Sequence, residues 1–136
     1  MEYAIGILAA AAVGLFATLV GFDKERSFYP VVLIVIAGLY LLFAVQAGST
    51  GALVAETIPA LLFVATAVFG YRKTPWLVVA GLALHGVFDF FHHGLIANPG
   101  VPVWWPGWCL AYDVVAAAYL AALIIVRRTL PPPASP

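Results

Sequence analysis

The chain has 136 residues, of which 65% are hydrophobic and only 9% charged. A water-soluble domain carries roughly 25% charged residues, so there is too little polar surface here to face water all round. The formal net charge of zero argues against a nucleic-acid partner or an acidic substrate, and the one cysteine, Cys109, excludes an internal disulfide and a cysteine-rich metal cluster.

Five apolar runs follow one another, each close to the roughly 20 residues that a membrane-spanning helix needs. The first extends from Tyr3 to Phe22 and ends at Asp23-Lys24-Glu25-Arg26, which reads as a solvated turn. Glu2 at its start and its length argue against a cleaved signal peptide. The second runs from Phe28 to Ala47, with Pro30 suited to a first helical turn. After the turn Gly48–Gly51 the third spans Ala52 to Gly70, with Pro59 inside it. The fourth starts at Pro75-Trp76 and ends near Ala97, where Asn98-Pro99-Gly100 breaks it. The fifth runs from Trp108 to Val126. The tail Pro131–Pro136 holds four prolines in six residues and is expected to be disordered. The expected fold is therefore an all-α bundle of five transmembrane helices, formed as one domain over residues 1–130.

All six basic residues fall in three places, Lys24 and Arg26, Arg72 and Lys73, Arg127 and Arg128, which follow runs one, three and five. In a five-pass chain those ends share one side, and the positive-inside rule makes it cytoplasmic. The N-terminus is then outside, the C-terminus is cytoplasmic, and the compartment is the cell (inner) membrane. Trp104, Trp105 and Trp108 fall at the outer interface and Trp76 at the inner one, as an aromatic belt requires. The segment Pro99–Gly107 is also stiff enough to serve as a lid. Small residues at Gly6, Ala10, Gly14 and Ala17, and at Ala117, Ala118, Ala121 and Ala122, suit close helix packing, within one chain or in a homodimer.

The fourth run departs from this apolar pattern. Its segment His85-Gly86-Val87-Phe88-Asp89-Phe90-Phe91-His92-His93 holds all three histidines and an aspartate. Ionisable groups inside a bilayer cost several kcal/mol unless paired, hydrated or metal-bound, so they mark functional candidates. At 100° per residue, Asp89, His92 and His93 lie at about 40°, −20° and 80° from His85, within one face. His85 and His92 stand about 10 Å apart along the axis, too far to share one ion. Glu56 and Asp113 enter at comparable depth, about 6 and 7 Å inside the ends of runs three and five. The expected ligands are Asp89 with His92 or His93, and Glu56 or Asp113 contributing; a second centre using His85, or a proton relay ending at His85, is the alternative. Asp89, His85 and Glu56 are the acid–base candidates. Tyr40, Gln46, Glu2 and Tyr112 are weaker neighbours, and Cys109 reads as an inert thiol.

Imidazole and carboxylate together suit a divalent transition metal, zinc first and iron or copper next. Three ligands and an open position would support hydrolysis of a lipid or other apolar small molecule. A proton or metal-ion carrier and a non-catalytic, cofactor-holding accessory protein are the other readings. Asp89-Phe90-Phe91-His92-His93 resembles the His-x-x-His-His boxes of membrane di-iron desaturases, with Asp in first place. Those enzymes use about eight histidines and this chain has three. Dispersed His and Asp residues are also similar to those of membrane hydrolases of the alkaline ceramidase type. Finally, Gly21–Ile36, His85–Asp89 and Asn98–Pro106 together resemble an uncharacterised bacterial membrane family catalogued as domain of unknown function 6010. That resemblance covers Gly21 to about Tyr119 and implies a small multi-pass protein without an assigned activity.

Overall fold

A long apolar run has no side-chain partners for its backbone, so it closes its own hydrogen bonds and becomes a helix. The computed structural model describes residues 1–129, with side chains through Arg127. It contains five such helices: α1 (Glu2–Val20), α2 (Phe28–Gln46), α3 (Thr50–Arg72), α4 (Pro75–Leu95) and α5 (Trp105–Thr129). All five are long and apolar enough to cross a membrane. The tail at 131–136 lies outside the described residues.

Local chemistry sets the helix ends. Gly21 adopts φ 92° and receives the α1 C-terminus, a left-handed position that favours glycine. A short 3₁₀ turn at Phe22–Lys24 follows. Ser49 caps α3 by accepting from the Ala52 amide, and Thr74 caps α4 with Pro75 in its first turn. Pro59 lies inside α3, leaving the Ala55 carbonyl without its usual helical donor. The fifth helix begins at Trp105 rather than Trp108, because Pro106 in the first turn gives up an amide that had no helical partner anyway.

The helices do not pack in chain order. α5 lies between α1 and α4, α3 packs on α4 and on α2, and α2 also reaches α4. α4 thus touches three other helices. The stripe Gly6, Ala10, Gly14 and Ala17 is the buried face of α1, and it seats on α5. At Gly6 an added Cβ would run into the Trp108 carbonyl oxygen, and at Gly14 it would press on the Tyr119 ring at 3.1 Å. The small-residue pattern of α1 therefore serves packing within the chain.

One core cluster joins Leu33, Ile36, Val78, Leu82, Ala116, Leu120 and Ile124 from α2, α4 and α5. The outward faces carry large exposed apolar residues, among them Leu8, Leu19, Ile58, Leu62, Phe90 and Leu95. Such a surface suits lipid and not water. The two ends differ in chemistry. One end holds the α1, α3 and α5 N-termini, Trp104, Trp105 and Trp108, and the histidine-bearing end of α4. The other holds Lys24, Arg26, Arg72, Lys73 and Arg127. There Asp23 is not solvated as its turn suggested. It is 5% exposed, ion-paired to Arg127 at 3.0 Å and bonded by the Thr18 hydroxyl at 2.7 Å. This salt bridge ties the end of α1 to the end of α5.

Gly6→Val forces its side chain into the α5 backbone and should lower stability by about 1–3 kcal/mol. Gly51→Ala, with open space around its Cβ, should leave stability unchanged or raise it by up to about 1 kcal/mol. Reversible unfolding in mixed micelles measures both, and equal stability of Gly6→Val and wild type would remove α1 from this position.

Candidate functional site

The buried face of α4 reads Val78, Gly81, Leu82, His85, Gly86, Asp89 and His92, a repeat of three and four residues. The polar members share this stripe because only the bundle interior offers them partners. All three are almost sealed, His85 at 1% and Asp89 and His92 at 0% exposed, as is Asp113 of α5 at 0%. Glu56 is 1% exposed. His93, one residue further round, is exposed, and its contact within the described residues is an edge-on approach to the His92 ring at 5.8 Å. The expected role of His93 as a ligand beside His92 has no support in this placement, since 100° of helix rotation carries it off the interior face.

Two acid–imidazole groups form, one about His85 and one about His92, and Asp89 sits with His85. In the deeper group, His85 Nδ1 lies 2.7 Å from Asp113 Oδ2 and 3.2 Å from Asp89 Oδ2. The Tyr40 hydroxyl donates to Asp89 Oδ1 at 2.6 Å. In the shallower group, His92 Nε2 lies 2.7 Å from Glu56 Oε1, which also accepts from Asn98 Nδ2 at 2.9 Å. Tyr40 joins the two, since its ring stacks on the His92 imidazole at a centroid distance of 4.0 Å. Phe63 and Phe88 pack their rings about His85, and Phe88 also meets His92 edge-on.

The helix register explains the re-pairing. With α5 starting at Trp105, Asp113 lies about 12 Å from its end of α5, one turn deeper than the start at Trp108 implied. His85 lies about 15 Å from the end of α4, so these two meet, and His92 is left for Glu56. Gly86 permits the approach: a Cβ there would stand 3.3 Å from the Leu110 carbonyl oxygen and 3.4 Å from Asp113 Cβ.

Asn98 is the member that sequence reasoning missed. It lies in the loop between α4 and α5, is 7% exposed, and binds both Glu56 and the Tyr40 carbonyl oxygen. Gly100 lets that loop settle, because a Cβ there would collide with the Phe43 carbonyl. The loop next to a histidine-bearing helix end was the available signal. Glu2 pairs with the N-terminal amine at 3.2 Å and Tyr112 stacks on Trp108, so both lie outside the groups. Cys109 is buried and free, one turn before Asp113 on α5.

Among the described residues, His85, Asp89 and Asp113 form a group whose ligand atoms all lie within 4.8 Å of one another. Donors on a tetrahedral ion with bonds of 2.0–2.1 Å stand about 3.3 Å apart, so the 2.7 and 3.2 Å separations already approach that arrangement. With all three groups ionised one negative charge stays unbalanced in an apolar interior, which an added proton or cation would correct. Asp113 Oδ1 is buried without a partner, as are Glu56 Oε2 and His92 Nδ1. The donor set of one imidazole and two carboxylates fits zinc or iron and lacks the second imidazole that copper prefers. His92 and Glu56 are not part of this group.

No protein-family model, curated protein or solved structure matches the chain, so the family resemblance in its sequence carries no further argument.

His92→Ala leaves Glu56 buried with its imidazole partner gone and should cost about 3–5 kcal/mol in unfolding experiments. His93→Ala should change stability by less than about 0.5 kcal/mol. Equal effects of the two would contradict the inward orientation of His92.

Proposed function

We propose that this chain is a multi-pass protein of the cell membrane whose His85, Asp89 and Asp113 hold one divalent transition metal, zinc in the first instance. We further propose that it acts as a metal-dependent hydrolase on a lipid or other apolar substrate. The observation that carries this reading is the buried three-residue group with ligand atoms within 4.8 Å and an unpartnered Asp113 oxygen. By the positive-inside rule the basic end faces the cytoplasm, the N-terminus is outside, and the polar groups lie toward the outer leaflet.

A metal held there supplies Lewis acidity and an activated water at neutral pH. The protein's own groups have separable roles. Tyr40 fixes the Asp89 carboxylate by its 2.6 Å hydrogen bond. Glu56 orients the His92 ring by accepting at Nε2, which leaves Nδ1 free to take or give a proton. Asn98 donates to the same Glu56 oxygen, Oε1, and anchors the interhelical loop above the site. Such a carboxylate–imidazole arrangement is how a general base is positioned. The rings of Tyr40, Phe63 and Phe88 exclude water and strengthen every interaction inside.

A proton carrier is the second reading, and one observation favours it. Asp113, His85, Asp89 and Tyr40 form a connected polar chain with His92 and Glu56 against the Tyr40 ring. In the basic half, Tyr119, Thr18 and Asp23 form a second chain with links of 2.8 and 2.7 Å.

Elemental analysis of protein purified gently and without chelators should give one transition-metal ion per chain, lost in Asp113→Ala and kept in His93→Ala. Folded, metal-free wild-type protein that takes up no zinc would end the metal reading. Zinc-dependent turnover of reconstituted lipid that disappears in His92→Ala while the metal stays bound would separate catalysis from storage. Proton flux in liposomes lost on Tyr40→Phe, without turnover, would favour the carrier.

A further inference from the structure

The opposite end of the bundle has a site chemistry of its own. A cleft of 360 Å³ opens among the turn after α1, the start of α2, the α3–α4 junction and the last turns of α5. That volume falls in the range of about 300–1,000 Å³ typical of small-molecule sites. Its wall includes Val78, Leu120, Leu123 and Ile124. Lys24, Arg26 and Arg127 line it too, with the exposed Glu25 between the first two. Arg127 is engaged with Asp23 through its ion pair and a 2.7 Å bond to the Asp23 carbonyl oxygen. Lys24 and Arg26 are exposed and hold no ion pair among the described residues.

Two buried polar atoms on residues of this cleft lack a partner: the Tyr29 hydroxyl and Asp23 Oδ1. Tyr29 and Asp23 are each 5% exposed. Buried polar groups in folded proteins are almost always satisfied, so a pair of orphans in one cleft asks for a ligand. The Tyr29 hydroxyl can donate to a ligand oxygen. Asp23 Oδ1 can only accept, and its negative charge repels an anion, so it selects a neutral hydroxyl. An anionic group then belongs with Lys24 and Arg26, and an apolar portion with Val78, Leu120, Leu123 and Ile124. A free phosphate would use neither the apolar wall nor the Asp23 oxygen.

We propose that this cleft binds one anionic phospholipid with a hydroxylated headgroup, of the phosphatidylglycerol type. Its phosphate meets Lys24 and Arg26, a headgroup hydroxyl donates to Asp23, an oxygen accepts from Tyr29, and an acyl chain lies on the apolar wall. Basic pockets between spanning helices are suited to such headgroups. The site shares no residue with the His85, Asp89 and Asp113 group.

The test is native mass spectrometry of the delipidated full chain, titrated with phosphatidylglycerol, phosphatidylethanol and phosphatidylcholine of identical acyl chains. Phosphatidylethanol is anionic but lacks headgroup hydroxyls. Phosphatidylglycerol should bind about tenfold more tightly than either. Tyr29→Phe removes one unpartnered atom and should weaken that binding by about three- to tenfold with helicity unchanged. Lys24→Gln with Arg26→Gln, both exposed, should bring phosphatidylglycerol down to the phosphatidylcholine level. Equal retention of all three lipids, or no effect of Tyr29→Phe, would overturn the site. Displacement of phosphatidylglycerol by millimolar inorganic phosphate would overturn the lipid assignment.

Discussion

A carboxylate inside an apolar bundle must find a partner within the bundle, because neither lipid nor packed alkyl groups can solvate it. Three such carboxylates, Glu56, Asp89 and Asp113, are nearly inaccessible here, and two imidazoles receive them. The helix order follows the same requirement. α4 carries both imidazoles, and it is the helix that touches α2, α3 and α5, the sources of Tyr40, Glu56 and Asp113. Placing α4 at the edge of the bundle would strand its own polar stripe.

Close packing makes this meeting possible. Gly86 brings α4 against α5 beside Asp113, and the small face of α1 lets α5 lie deep between α1 and α4. The core on the basic side is built from Leu, Ile, Val and Ala together with Tyr29. The acid–imidazole groups are thus confined to one half, while the basic end keeps the Tyr119–Thr18–Asp23 chain, the Asp23–Arg127 ion pair and the Tyr29 hydroxyl. Polar contacts between membrane helices are typically worth only about 0.6 kcal/mol, well below the cost of inserting several ionisable residues. Bundle adhesion alone is therefore a weak reason for the chain to carry this cluster, and ligand chemistry is the stronger one.

The two acid–imidazole groups differ in what they can do. His85 faces two carboxylates through one nitrogen, an arrangement short of positive charge. His92 faces a single glutamate and keeps a free nitrogen, an arrangement fit for moving a proton. Tyr40 touches both through different atoms, its hydroxyl on Asp89 and its ring on His92, so the position of one side chain couples the two. The opposite end recruits a different chemistry, exposed cations above an apolar wall, which suits an amphiphile and not a metal.

Hydropathy and the spacing of turn residues determined five helices with ends close to those seen, because the length and backbone closure of an apolar run depend on local sequence alone. The same local rules placed His85, Asp89 and His92 on one face and marked Glu56 and Asp113 as partners from other helices. Helix order, and hence which acid meets which imidazole, was decided only in three dimensions. A three-residue shift at Trp105 moved Asp113 from the level of His92 toward that of His85. His93 left the site because its rotation about α4 depends on which neighbours α4 packs against. Asn98 entered it because a loop folded inward onto Glu56, and Asp23 became buried because the end of α5 brought Arg127 across to it. Apart from the helix start at Trp105, which Pro106 sets locally, each of these depends on contacts between residues distant in the chain, whose free energies no single segment contains.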